Sequence, residues 1–126
     1  MPRASKTTAA RTANGPGYEG HFDELGDYTV AFERFGAGGD MAPIFRGLPD
    51  DRCQCPHWGV VLEGRLTFTY ADGVDVIEAG EAYYAPAGHT PAAGPGTETI
   101  EFSPTSKLQE TMQVVMKNAE AMAAAD

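Results

Sequence analysis

Apolar and polar positions alternate along much of the chain, and that period of two predicts strands. Tyr28-Thr29-Val30-Ala31-Phe32-Glu33-Arg34-Phe35 is the first clear run. Gly36 to Asp40 reads as a turn, and Met41 to Arg46 as a second strand. Gly47-Leu48-Pro49-Asp50-Asp51 is a loop leading to Cys53. His57 to Glu63 and Arg65 to Tyr70 follow as two strands hinged near Glu63-Gly64. Asp72-Gly73 is a hairpin signal. Val74 to Glu78, Ala82 to Ala85 and Thr97 to Phe102 complete the strand set, separated by Ala79-Gly80-Glu81 and by the corner Pro86-Ala87-Gly88-His89. Many short strands at regular turn spacing predict an all-β sandwich or barrel.

The period then changes. Leu108, Met112, Val115, Met116, Ala119 and Met122 recur at spacings of three and four, as on an amphipathic helix. Ser103 reads as its cap, with Pro104 at the first helical position. The Met-rich face either packs on the domain's own barrel or forms a homodimer contact. The expected organisation is a disordered basic tail over 1–16, one β-domain over 17–103 and the helix over 104–124.

Composition narrows the function classes. The 126 residues suit one domain. No stretch approaches the roughly 18 apolar residues of a membrane helix. No apolar stretch follows the N-terminal basic residues, so no secretory signal is expected and the default compartment is the cytoplasm. Arg3, Lys6 and Arg11 make residues 1–15 +3, so a formal net charge of −9 leaves −12 on the remainder. An acidic body repels nucleic-acid phosphates and anionic membrane.

Two ordered segments carry a family resemblance. Val60-Val61-Leu62-Glu63-Gly64-Arg65-Leu66 is a strand running into a glycine turn. Glu78-Ala79-Gly80-Glu81-Ala82-Tyr83-Tyr84-Ala85-Pro86-Ala87-Gly88-His89 is a glycine, a strand and then Pro-x-Gly. With the hairpin between them, they resemble the two motifs of the cupin family, over about residues 41–102. The resemblance implies a jelly-roll-like barrel of two antiparallel sheets, the double-stranded β-helix, with the C-terminal helix added. Cupins often hold a metal and are often dimeric. Their usual ligands are replaced here. The usual glutamate position falls on His57, the two motif-one histidines on Cys53 and Asp51, and the motif-two histidine on Pro91.

The residues themselves suggest another ligand set. Cys53, Cys55 and His57 alternate, so an extended strand would turn all three to one face. His89 enters at the corner where cupin barrels bring the second motif toward the first. Two thiolates and two imidazoles suit tetrahedral zinc, with copper, iron or nickel as alternatives. Four protein ligands would make the site structural, and three would leave a position for water or substrate. Free buried thiols remain an alternative for Cys53 and Cys55, and Pro56 could turn Cys55 away. Trp58 should face opposite to His57, in core or interface. Of Tyr83 and Tyr84, Tyr84 is expected to face inward, to hydrogen-bond a ligand, transfer a proton or simply pack. Glu98 and Glu101 share the last strand, and the pattern does not fix which faces in. His21 reads as surface or edge structure. The function these features suggest is a metal-binding domain handling a small organic molecule. The rivals are a structural-metal or redox-sensing domain and a metal-free pocket protein.

Overall fold

A computed structural model describes residues 2–124. Ten strands form two antiparallel sheets, followed by one helix. The strands are β1 (Arg11–Gly15), β2 (Tyr18–Leu25), β3 (Tyr28–Phe35), β4 (Gly39–Asp40), β5 (His57–Glu63), β6 (Arg65–Tyr70), β7 (Gly73–Glu78), β8 (Ala82–Ala85), β9 (Thr90–Ala93) and β10 (Thr97–Pro104), and the helix is α1 (Thr105–Ala124). The larger sheet runs β1-β2-β3-β10-β5-β8 and the smaller β4-β9-β6-β7. Their inner faces meet over Val61, Leu66, Phe68, Ile77, Tyr83, Ala85 and Ala93. Burying such side chains is the main term holding two sheets together.

Gly39–Asp40, expected within a turn, pairs with β9 as the short β4. Neither β2 nor β9 was expected as a strand, and three further stretches differ from the sequence expectation. Residues 11–15, expected in a disordered tail, pair with β2 as an exposed outer strand. Met41 to Arg46, expected as a strand, contains a 3-10 turn at Ala42–Phe45 with proline in its first turn. Proline has no N–H to give a sheet and its fixed φ suits a helical start. Ser103 does not cap the helix. β10 continues pairing with β3 as far as Pro104↔Tyr28, so Ser103 stays in the ladder and its side chain turns inward.

Helix α1 packs on its own domain. Val115 is buried with Phe45, Cys53 and Cys55, and Leu108 and Met112 border the same cluster. Asn118 Nδ2 donates to the carbonyls of Ile44 (2.8 Å) and Arg46 (2.7 Å), fastening the helix to the 3-10 turn. The helix thus covers the outside of the segment that carries the two cysteines.

Candidate metal centre

Three of the four expected ligands come together. Cys53 Sγ and a ring nitrogen from each of His57 and His89 all lie within 4.8 Å of one another, and all three residues are buried. Backbone bonds fix this meeting. Cys53 N donates to His89 O (2.8 Å) and Gly88 N donates to Cys53 O (2.8 Å), a bridge between positions far apart in sequence. His57 opens β5 with its side chain inward, beside its neighbour-strand partner Ala85.

Each imidazole has one nitrogen committed. His89 Nδ1 lies 2.7 Å from Pro86 O, which can only accept, so Nδ1 carries the proton and Nε2 keeps a lone pair. His57 Nδ1 lies 2.7 Å from Ser103 Oγ and 3.5 Å from Glu101 Oε2, which leaves Nε2 facing Cys53 Sγ at 3.5 Å. Metal-bound histidines are usually oriented in this way by a partner on the other nitrogen. Bonds of about 2.3 Å to sulfur and 2.0 Å to nitrogen at a tetrahedral angle put the two donors roughly 3.5 Å apart. The Cys53–His57 separation matches that value.

Burial sets the protonation states. It pushes both histidines down to about 4, so they are neutral bases at neutral pH. It pushes the Cys53 thiol up to about 12, so binding a cation as thiolate releases a proton. Burial also raises the Glu101 carboxyl above its ordinary range.

Cys55 lies outside the close group. Pro56 breaks the expected extended run, and the Cys55 thiol donates to Pro56 O (3.4 Å) within the apolar cluster under α1. Tyr84 also departs from expectation. Trp58↔Tyr84 and Gly59↔Tyr83 are the cross-strand pairs, and paired residues share a face. With His57 and Gly59 inward, Tyr83 points in and Tyr84 points out, more than half exposed, against Trp58.

Residues the sequence left unassigned complete the interior. Tyr83 Oη donates to Glu101 Oε1 (2.6 Å), passing over Gly59, where a Cβ would lie 2.6 Å from that hydroxyl. Tyr18 Oη donates in the same manner to Glu33 (2.6 Å), over Gly20. Glycine opposite each glutamate was the signal that could have marked both. His21, on the opposite face of β2 from Tyr18, pairs with Glu19 at 2.6 Å and takes no part.

No family model matches the sequence, and no curated protein matches it. Solved structures do. A protein of unknown function from Rhizobium leguminosarum matches at TM-score 0.58 and 19% identity, covering 82% of this chain and 95% of its own. An RmlC-like cupin from Shewanella frigidimarina matches at TM-score 0.54 and 17% identity, covering 80% and 88%. The polyketide cyclase RemF from Streptomyces resistomycificus matches at TM-score 0.55 and 17% identity, covering 82% and 79%. The fold is that of the cupins, as the two sequence motifs implied. Among the described residues, no helix is long and apolar enough to cross a membrane.

Proposed function

We propose that the protein is a metal-binding cupin in which Cys53, His57 and His89 hold zinc. One observation carries the reading: three soft or borderline donors within 4.8 Å, with both imidazoles oriented through Nδ1. Three protein ligands leave a fourth position for water or a small organic molecule reaching the barrel interior. Zinc there supplies Lewis acidity or an activated water. Ser103 orients His57, and Tyr83 holds Glu101 beside it, so the inward tyrosine takes the polar role first expected of Tyr84. The net charge of −9 supports a small-molecule partner over nucleic acid.

A second reading rests on Cys55, buried two residues from Cys53. If Cys55 turns inward as a fourth ligand, the site is structural or thiol-sensing. Elemental analysis of zinc-supplied protein separates the two. Stoichiometric zinc is expected in wild type and Cys55→Ser, with loss in Cys53→Ser, His57→Ala and His89→Ala. Wild type without stoichiometric metal overturns the site. Zinc lost in Cys55→Ser favours the four-ligand reading.

A further inference from the structure

Helix α1 turns an apolar stripe to the domain, and the deepest point of that stripe is polar. Thr111 and Val115 are the buried residues of the helix, at 4% and 8% exposure. Leu108, Thr111 and Val115 follow at spacings of three and four, so they share one face. That face lies on the cluster of Phe45, Cys53 and Cys55. A hydroxyl sunk among apolar side chains costs free energy unless it is hydrogen-bonded. The sulfur of Cys53 is the partner that Thr111 meets there. This contact reaches Cys53 from the helix side, while His57 offers Nε2 from the barrel side at 3.5 Å.

We propose that Thr111 is a positioning residue of the metal centre, its hydroxyl donating to Cys53 Sγ and stabilising that sulfur as a thiolate. The inference rests on the zinc reading above. As a thiol, Cys53 Sγ donates to Cys55 O (3.6 Å). A bound cation takes the place of that proton. The Cys55 carbonyl can only accept, so it then faces an anionic sulfur with no hydrogen between them. The thiolate needs a donor, and hydrogen bonds to an ionised group are about twice as strong as neutral ones. Thr111 supplies an O–H held in place by a buried helix face. Such a partner acts on the sulfur and not on the ion, and it tunes how strongly the sulfur gives electrons to the metal. On this reading α1 is part of the centre and not only its cover.

Cobalt(II) is the probe, because it enters sites of this donor type and a thiolate bound to it gives a charge-transfer band in the near ultraviolet. Thr111→Val keeps the branched shape and removes the hydroxyl. Thr111→Ser keeps the hydroxyl and removes the methyl. In Thr111→Val the band should move to longer wavelength, because the unbonded sulfur gives up an electron more easily. Zinc affinity, read by chelator competition, should fall about tenfold in the same variant. Thr111→Ser should keep the wild-type band position. A Thr111 that only packs would give the reverse order, with Thr111→Val unchanged and Thr111→Ser perturbed. Far-UV circular dichroism checks the fold of each variant, and Thr111→Ala repeats the deletion if Thr111→Val does not fold. A band unmoved in the hydroxyl-free variant, or moved equally in Thr111→Ser, overturns the role of Thr111 while the metal centre stands. No charge-transfer band in wild type overturns the zinc reading itself, and the role of Thr111 with it.

Discussion

Ser103→Ala isolates the part of the proposed metal centre that would touch no metal. The Ser103 hydroxyl is 2.7 Å from His57 Nδ1, and removing it leaves a buried N–H with no close acceptor. That costs the apo-protein about 1–3 kcal/mol. The same loss frees the ring to rotate away from Cys53, and orienting partners of this kind are worth roughly 10–100-fold in metal affinity, or about 1.4–2.7 kcal/mol. Glu101 Oε2, at 3.5 Å, is the nearest substitute. Ser103→Ala alone should therefore fall near the tenfold end, and Ser103→Ala with Glu101→Gln near the hundredfold end. Zinc affinity is read by competition with a chromophoric chelator, and apo stability by urea unfolding. Zinc affinity within twofold of wild type in the double variant refutes the orienting role. Complete loss of zinc in Ser103→Ala alone refutes it too, because a positioning residue weakens a site without abolishing it.

Glu33 tests the electrostatics of the interior. Burial raises its carboxyl to about 7, against 4.5 in the open chain, so its stabilising contribution is present at low pH and lost as pH rises through about 7. Glu33→Gln mimics the protonated form, so its stability advantage should grow between pH 5 and pH 8 by about 1–3 kcal/mol, with the histidines cancelling in the difference. An advantage flat with pH in urea unfolding counts against a buried Glu33. Gly64 and Gly80 both hold positive φ (82° and 88°), but an added Cβ at Gly64 meets Thr97 while nothing lies near Gly80. Gly80→Ala should cost about 1 kcal/mol and Gly64→Ala clearly more, and equal melting temperatures would contradict this. Val115→Ala should cost about 1–3 kcal/mol in thermal unfolding, because Val115 fills the cluster that backs Cys53. A neutral result would mean that α1 does not buttress the site.

Strands with strict alternation were legible. β3, β5, β6 and β8 have the bounds the pattern predicts. β2 was not, because its inward positions Tyr18, Gly20 and Phe22 set a glycine among the aromatics. Periodicity also leaves a phase to choose wherever adjacent residues are alike. Tyr83 and Tyr84 are identical in type, and only the cross-strand register with Gly59 and Trp58 separates them. Cys53, His57 and His89 were legible by chemistry. Ser103 was not, since Ser-Pro before a helical pattern is a capping signal locally and a ladder residue only through its pairing with β3. Local signals lose where a long-range strand pair decides the backbone.

On the proposed metal reading, the bridge between Cys53 and His89 has a consequence for how metal would be gained and lost. Main-chain bonds bring the ligand-bearing segments together, so assembly of the barrel does not wait for an ion. Zinc entering such a frame meets donors already in place, and little of its binding energy goes to ordering the chain. The metal-free protein then persists as a folded body able to be loaded after synthesis, and stripping with a chelator yields an empty receptor instead of a denatured one. Occupancy in the cell would follow metal supply and the speed of entry, with no refolding between one ion and the next.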